Sequence, residues 1–284
     1  MSVLSSWALS EAEGEEYRSD GFFTRYAVFS EPELKELREA AELVVKRAEE
    51  NAAARRDDDY SIDGNHYVEA GGSTIQYEHA ATSGVGGEPS TSPAAIRVIE
   101  PFHHLHPAFD RLIDDPRIVL PMRGIVGSEQ VALWTDKINL KRPREGSGFR
   151  WHQDSPYWSH ACAHVDQLPN VLIALDDADE DNGCFRVIRA SHRKRYLPGL
   201  DDGSRLAPLF THPSCFDEAD QVPAVVPAGS LIFFNPHSVH GSQPNRSDSP
   251  RRALVLTYQP GGHRMFKVDA IRNAGESDRS KLAS

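Results

Sequence analysis

The sequence predicts a mainly β fold, a sandwich or jelly roll of short strands with helices packed outside it. Helical spacing of apolar residues is confined to the first half of the chain, and after Gly127 the chain changes to short β-like runs separated by turn residues. There is no internal repeat and no second core pattern. We therefore expect one domain over residues 1–284, with helical support over about 1–127 and the jelly-roll core over about 128–262.

A short strand followed by a long helix is predicted near the start of the chain. The aromatic, apolar run over residues 22–29 follows a turn and is typical of a strand. Ser30 and Glu33 match a capping box. Apolar residues then recur at helical spacing, at Leu34, Leu37, Ala41, Val44 and Val45. The helix is therefore expected from Glu31 to about Arg55.

The following segments are punctuated by small, polar and proline residues. Residues 56–94 are rich in Asp, Gly, Ser and Thr, which indicates a long loop or lid. Prolines then delimit two expected helical pieces, at 106–114 and 117–126.

Short runs that favour strands make up the second half of the chain. They cover residues 131–140, 171–175, 184–188, 222–226, 230–234 and 252–259. Turn residues such as Asp181-Asn182-Gly183 separate them. Many short strands with turns between them are the pattern of a jelly roll.

Composition limits the classes of partner. The formal net charge of −11 disfavours binding to nucleic acid. A basic, apolar leader and an apolar window of membrane-spanning length are both absent from the sequence, so we expect a cytoplasmic protein. The three cysteines, Cys162, Cys184 and Cys215, form no CxxC pair and are expected to be reduced thiols.

The segment Trp151-His152-Gln153-Asp154 carries the first chemical signal. In an extended segment His152 and Asp154 project to the same face and can reach one ion. A third ligand is available in residues 235–241, which contain both His237 and His240. Two histidines and one carboxylate suit a ferrous ion with open positions for a co-substrate and dioxygen. The HxD pattern alone is weak, because the chain has 13 histidines.

Arg251 supplies a second signal at the start of an apolar strand. An oxo-acid that chelates iron at one end presents a second carboxylate at the other end, and a guanidinium binds a carboxylate through two hydrogen bonds. Arg252 faces the opposite side of a regular strand, where a solvated charge is expected.

Together these residues resemble the phytanoyl-CoA dioxygenase family of iron(II)- and 2-oxoglutarate-dependent oxygenases. The resemblance extends over most of the chain and rests on an early Asp-Gly-aromatic strand with its helix, His-Gln-Asp at 152–154, Asn182-Gly183-Cys184, Ala190-Ser191-His192, and His240-Gly241-Ser242 with Asn245 and Arg251. It implies a double-stranded β-helix of the cupin-like type. It also implies Fe(2+), 2-oxoglutarate and O2, with release of succinate and CO2.

The family pattern assigns roles to individual residues. It makes His152, Asp154 and His240 the iron ligands, and it selects His240 over His237. It also makes Arg251 and Ser242 the partners of the distal 2-oxoglutarate carboxylate. No catalytic residue is expected beyond the metal centre.

Two elements depart from the family pattern, whereas Asp154 follows it and indicates the type of reaction. The usual Pro-Gly-Ser-His element reads Arg189-Ala190-Ser191-His192, and an aromatic position beside the co-substrate reads Leu172. Related halogenases replace the iron-binding carboxylate with a small residue. The presence of Asp154 therefore implies hydroxylation or another oxidation.

Substrate recognition is less defined by the sequence. The aromatic residues Trp151, Tyr157 and Trp158 flank the ligands and are candidates for a pocket wall. Lys137 and Asn139 alternate on one face of a strand entering the site, where either could contact co-substrate or substrate. The basic segment 189–195 fits either an anionic substrate or a solvated loop.

Two alternative functions remain open from the residues alone. One is a cupin-like metalloenzyme that does not use 2-oxoglutarate, which would not need Arg251. The other is a non-catalytic jelly roll that binds a metal or ligand. For the oxygenase function a small-molecule substrate is expected. Nucleic-acid demethylation is disfavoured by the acidic composition.

Overall fold

Two antiparallel sheets packed against each other form the body of the protein in the computed structural model, which describes residues 7–78 and 95–275. Within these residues the larger sheet has nine strands, in the order β1 (Phe22–Arg25), β11 (Leu231–Phe234), β8 (Asn170–Ala174), β13 (Arg251–Pro260), β6 (Val131–Lys141), β5 (Ile96–Glu100), β4 (Ser73–Tyr77), β3 (Asn65–Ala70) and β2 (Asp58–Ile62). The smaller sheet has four, in the order β10 (Gln221–Pro223), β9 (Phe185–Ile188), β12 (His240–Ser242) and β7 (Phe149–His152). The predicted jelly roll with flanking helices is confirmed.

The central strands of the larger sheet are buried on both faces. In β11, Leu231 and Phe233 belong to the core beneath the helices, whereas Ile232 and Phe234 belong to a second core. That second core also contains Phe185 and Val187 of the smaller sheet, so it lies between the two sheets. Burial on both faces explains why these strands read as continuous apolar runs rather than alternating ones.

Five helices lie among the described residues, and the longer ones follow the predicted pattern. They are α1 (Glu11–Asp20), α2 (Glu31–Ala54), α3 (Pro107–Leu112), α4 (Pro116–Val126) and the single turn α5 (Ser155–Trp158). The capping box of Ser30 and Glu33 starts α2, whose apolar stripe packs against the larger sheet. The sequence prediction missed α1, although Ser10 and Glu13 form a second capping box at its start.

The interpretation of residues 56–94 as a loop or lid is wrong where it can be compared with the structure. Residues 58–77 form the strands β2, β3 and β4, which extend the larger sheet beyond β5. Residues 79–94 lie outside the described residues. Polar residues dominate β2 and β3 because this outer part of the sheet is covered on one face only.

The remaining predicted strands coincide with β1, β6, β8, β9, β10, β11 and β13 to within a few residues. All three cysteines are free thiols, as expected. Among the described residues, none of the helices combines the length and the apolar composition needed to cross a membrane. The single-domain organisation stays a prediction.

Candidate metal centre

The centre is built where β7 and β12 pair in the smaller sheet. His240 lies opposite His152 in the antiparallel register, and their ring centroids are 4.2 Å apart. Asp154 follows two residues after His152, at the start of α5. Its two carboxylate oxygens lie 3.9 Å from His152 Nε2 and 3.8 Å from His240 Nε2. The structure thus brings the three predicted ligands within reach of one ion.

Backbone carbonyls fix the orientation of both imidazoles. His152 Nδ1 lies 2.8 Å from the carbonyl oxygen of Arg150, and His240 Nδ1 lies 2.9 Å from that of Ser238. Each Nδ1–H therefore donates to a carbonyl, and each Nε2 is left with a lone pair directed toward Asp154. This tautomer is the one that a metal-binding histidine requires.

Asp154 is held by a buried amide. Asn170 Nδ2 donates to Asp154 Oδ2 at 3.0 Å, and Thr257 Oγ1 donates to Asn170 Oδ1 at 2.6 Å. All three side chains are buried. The chain Thr257–Asn170–Asp154 orients the carboxylate from the larger sheet, across the space between the sheets.

The protonation states suit a divalent cation. Burial, followed by the neighbouring His240, lowers the pKa of His152 to about 3, and burial also lowers the pKa of His240. Burial alone would raise the pKa of Asp154, but His240 and Lys137 hold it below its ordinary value. Two neutral imidazoles and one carboxylate are a donor set that fits a ferrous ion, with one face of the ion left open.

Arg251 has no partner within the described part of the chain. It begins β13 and is 5% exposed; its buried Nε has no hydrogen-bond partner, and its guanidinium donates no hydrogen bond to a described residue. Burial lowers its pKa to about 10, so it keeps its charge near neutral pH. A buried guanidinium without an acceptor is costly, and an anionic ligand would supply the missing acceptors.

Ser242 lines the same cavity as this guanidinium and is held by Lys141. The Lys141 Nζ donates to Ser242 Oγ at 2.7 Å and to the Gly183 carbonyl at 3.1 Å, and it also contacts the carbonyl of Gln243. Burial, followed by the charges of Arg251 and Arg97, lowers the pKa of Lys141 to about 5. Lys141 thus fixes the position of the Ser242 hydroxyl, which lines the same cavity as Arg251.

One cavity of about 660 Å³ connects the three ligands with Arg251 and Ser242. It lies between the two sheets, and Leu172 and Val255 of the larger sheet line it opposite the ligands. The predicted residues Lys137, Asn139, Tyr157 and Trp158 also line it. A volume of this size accommodates a small co-substrate and a small substrate together.

Trp151 is a correction to the predicted pocket wall. It is not among the residues lining the cavity; it contacts Phe216, with ring centroids 5.7 Å apart. Successive side chains of a strand point to opposite faces, so Trp151 faces away from the side on which His152 lies. His237 is likewise outside the centre, where its Nε2 lies 2.8 Å from Asp166 Oδ1.

The basic segment 189–195 is engaged with the protein itself. Arg189 pairs with Asp20, and Arg195 pairs with Asp166 at 2.6 Å. No residue of the segment lines the cavity. This placement favours the solvated loop over a role in the cavity.

Sequence reasoning missed several residues of the cavity wall. Tyr67, Gln76, Arg97 and Glu100 come from β3, β4 and β5, which include the strands that were taken for a loop. Arg97 is the extra residue where the register of β5 against β4 shifts, since Gln76 pairs with Val98 and Tyr77 with Ile96. Such a bulge re-aims a side chain. The sequence gives no sign of the bulge, because Arg97 lies within an apolar run.

A centre of two histidines and one carboxylate between the sheets of a jelly roll defines the class of non-haem iron oxygenases. Residues 17–253 match the family described as phytanoyl-CoA dioxygenase (PhyH). The chain belongs to the phytanoyl-CoA dioxygenase family.

Individual relatives agree with this membership. The ectoine dioxygenase of Bordetella bronchiseptica is 28% identical over 269 residues, which cover 88% of this chain and 75% of that protein. The 2-aminoethylphosphonate dioxygenase of an uncultured bacterium is 29% identical over 150 residues, covering 52% of this chain and 53% of that protein, so the match spans about half of that relative. The crystal structure of SnoK, a non-haem α-ketoglutarate-dependent carbocyclase from nogalamycin biosynthesis, has a TM-score of 0.63 at 18% identity and covers 97% of this chain and 91% of its own; it shows the shared fold.

The family and the centre agree on the chemistry. The chain is an Fe(II)- and 2-oxoglutarate-dependent dioxygenase, an oxidoreductase whose cofactors are Fe(2+), 2-oxoglutarate and O2. The membership decides against the two alternative functions left open by the residues alone.

Proposed function

We propose that His152, Asp154 and His240 hold Fe(II), that Arg251 and Ser242 bind the distal carboxylate of 2-oxoglutarate, and that the enzyme oxidises a C–H bond of a small organic molecule. Hydroxylation is the expected outcome. Asn139 remains a candidate contact to the co-substrate, and Tyr157 and Trp158 are candidates for the substrate wall.

The observation that carries this proposal is the pairing of two incomplete groups in one cavity. At one end are three metal-binding side chains with their Nε2 and carboxylate atoms converging. At the other is the buried Arg251, which has no acceptor among the described residues. A molecule that chelates the ion and presents a carboxylate at its far end would complete both groups.

The bound iron and 2-oxoglutarate supply the oxidising chemistry, in which dioxygen is consumed and succinate and CO2 are released. The protein orients the metal-binding side chains and surrounds the reacting atoms. Arg150 and Ser238 orient the two imidazoles through their carbonyls, and Asn170 orients the carboxylate. Leu172 and Val255 give the cavity an apolar wall that limits water near the reacting atoms.

Relatives support a small polar substrate. Two of them are named for ectoine and for 2-aminoethylphosphonate, both small polar molecules. A small-molecule substrate without nucleic acid, a cytoplasmic location and a single domain are parts of the same proposal. The net charge of −11 supports only the exclusion of nucleic acid, since it disfavours a polyanionic partner.

The test is an anaerobic titration of iron(II)-loaded protein with 2-oxoglutarate, followed by visible absorption. Wild type should develop a weak charge-transfer band, which His240→Ala should lose because one ligand is missing. Arg251→Ala should need roughly tenfold or more 2-oxoglutarate to reach the same band, since truncating one partner of a buried charge pair is costly.

Arg252→Ala is the matched control, because it removes the same charge from the next residue. Arg252 pairs with Asp176 and Glu42 and does not line the cavity. Its titration should match wild type. The absence of a band in folded, iron-loaded wild type, or equal effects of the two arginine variants, would contradict the assigned roles.

A further inference from the structure

Lys137 lies on β6 and lines the cavity of the metal centre. Its Nζ lies 5.6 Å from the ring centroid of Trp158 and 3.9 Å from Glu100 Oε1. The second distance is too long for a hydrogen bond. Burial alone would lower the pKa of Lys137, but the charges of Glu100 and Asp154 outweigh it and raise the pKa. The side chain is therefore a charged ammonium facing the cavity.

The acceptors nearest to Lys137 are already engaged. Glu100 Oε1 accepts from Thr135 Oγ1 at 2.9 Å, and Glu100 Oε2 accepts from Lys267 Nζ at 3.0 Å. Within residues 7–78 and 95–275, the Nζ of Lys137 donates no hydrogen bond. An ammonium carries three donors, so this one is left with donors directed at space that a ligand can fill.

The charge of the cavity differs in sign from the charge of the chain. Once Arg251 is assigned to 2-oxoglutarate and Asp154 to iron, the charged lining residues that remain among those described are the cations Arg97, Lys137, Arg150 and Lys267 and the anions Asp63 and Glu100. Four positive and two negative groups leave an excess of two positive charges, in a chain of net charge −11. A local reversal of this kind attracts an anion.

The walls around Lys137 limit the rest of the ligand. Tyr157 and Phe266 line the same cavity and offer flat, largely apolar surfaces, whereas Trp158, close to Lys137, is only 1% exposed. Because the cavity of about 660 Å³ must also hold 2-oxoglutarate, the second molecule has to be small.

We propose that the substrate is a small molecule bearing a compact oxyanion, a carboxylate or a phosphonate, which pairs with the Lys137 ammonium while its carbon body lies against Tyr157 and Phe266. This inference rests on the proposed function, because it takes Arg251 as the site of 2-oxoglutarate. It assigns Lys137 to the substrate rather than to the co-substrate.

The test measures binding of matched probes to protein loaded with Zn(II) and saturated with 2-oxoglutarate, by ligand-observed NMR. The probes are small aliphatic and cyclic carboxylic acids, each with its primary amide, and methylphosphonate with its dimethyl ester. Saturation with 2-oxoglutarate keeps the acids away from Arg251. Wild type should bind at least one anionic probe, and it should bind the neutral counterpart roughly tenfold or more weakly.

Lys137→Met keeps the length of the side chain and removes its charge. It should weaken the anionic probe roughly tenfold or more and leave the affinity for 2-oxoglutarate unchanged. Lys46→Met is the matched control; it removes the same charge from an exposed position on α2, where Lys46 pairs with Glu50 at 3.8 Å, and it should behave as wild type.

Three results with the anionic probes would overturn the inference. They are equal binding of acids and amides by wild type, unchanged anion binding by Lys137→Met, and failure of every anionic probe to bind. Weaker binding of 2-oxoglutarate by Lys137→Met would also overturn it, since the lysine would then serve the co-substrate. Failure of the proposed function is a separate result, seen as wild type that does not bind 2-oxoglutarate at all.

Discussion

Arg251 and Arg252 are adjacent residues with opposite environments, because successive side chains of β13 face opposite sides of the sheet. Arg252 donates to Asp176 at 2.7–2.9 Å and to Glu42 at 3.0 Å. Arg251 is buried without an acceptor among the described residues. One arginine therefore stabilises the fold, and the other costs stability until a ligand binds.

This contrast predicts opposite effects of the same substitution on thermal unfolding. Arg251→Met should leave the ligand-free protein at least as stable as wild type, because it removes a buried charge that lacks a partner. Arg252→Met should destabilise it by about 2 kcal/mol, since it breaks charged hydrogen bonds to Asp176. With a saturating divalent metal present throughout, addition of 2-oxoglutarate should raise the melting temperature of Arg252→Met but hardly that of Arg251→Met. Destabilisation of both variants to the same extent would refute the distinction.

Asn170 is predicted to tune the metal through Asp154. Asn170→Ala removes the 3.0 Å hydrogen bond to Asp154 Oδ2 and leaves the carboxylate free to rotate. The affinity for Mn(II), measured by calorimetry, should fall about 10- to 100-fold, which is the usual cost of losing an outer-shell partner. Thr257→Val, which removes only the next link, should cost less. An unchanged affinity in Asn170→Ala would show that Asp154 is held by other contacts.

At the residue scale, the sequence predicted the side chains whose chemistry is specific and missed those whose role depends on position. The pattern of His152, Asp154 and His240 follows from ligand chemistry and family resemblance, and the structure brings the three together. The predicted position of Trp151 is wrong because the alternation of side chains along β7 turns it away from the cavity. Arg97 was missed because the bulge in β5 has no signal in the sequence.

At the scale of elements, strong local patterns were predicted and weak ones were not. Helix α2 has a capping box and a buried apolar stripe, and strand β6 is a long, mostly buried apolar run. Both lie where the sequence indicated. The strands β2 to β4 are short, polar and rich in turn residues, so their local signal is that of a loop. Their pairing partner β5 stabilises them through the ladder, a tertiary contact that the sequence does not display.

The pairing of β7 with β12 gives a prediction at this scale, because Gly241 of β12 leaves little room for a side chain beside β7. A Cβ at this position would come within 2.8 Å of the Phe149 carbonyl oxygen and 3.3 Å of the Trp151 ring. Gly241→Ala should therefore push the two strands apart and displace His240 relative to His152. The Mn(II) affinity should fall roughly tenfold while the circular dichroism spectrum stays native.

Gly14→Ala is the control for this variant. Its added methyl would meet mainly the flexible Arg18 side chain, at 3.3 Å, on the surface helix α1. It should leave metal affinity unchanged and stabilise the helix slightly. Equal metal affinity in Gly241→Ala and wild type would mean that the two strands can adjust without moving the ligands.

At the scale of the whole molecule, the fold places ionisable groups where they are largely shielded from water, and the energy of doing so is linked to pH. Both sheets contribute, since the histidines lie on the smaller one and Lys137 and Arg251 on the larger one. The metal-free protein holds His152 and His240 as neutral imidazoles in a buried site. The unfolded chain exposes both to water.

The resulting prediction concerns the metal-free protein in acid. The pKa of His152 is about 3 in the folded protein and about 6.5 in an unfolded chain, so the unfolded state binds more protons between these values. The stability contributed by a neutral His152 is complete above about pH 6.5 and is lost as the pH falls toward 3. For one such group the loss is about 1 kcal/mol per pH unit, or about 2–4 °C in melting temperature for a chain of this size class. The melting temperature of the metal-free protein, measured by thermal unfolding, should fall less between pH 7 and 5.5 in His152→Gln than in wild type. His160→Gln, at an exposed position, is the control and should show the same fall as wild type. Parallel curves for wild type and His152→Gln would mean that the buried histidine does not contribute to the acid sensitivity of the fold.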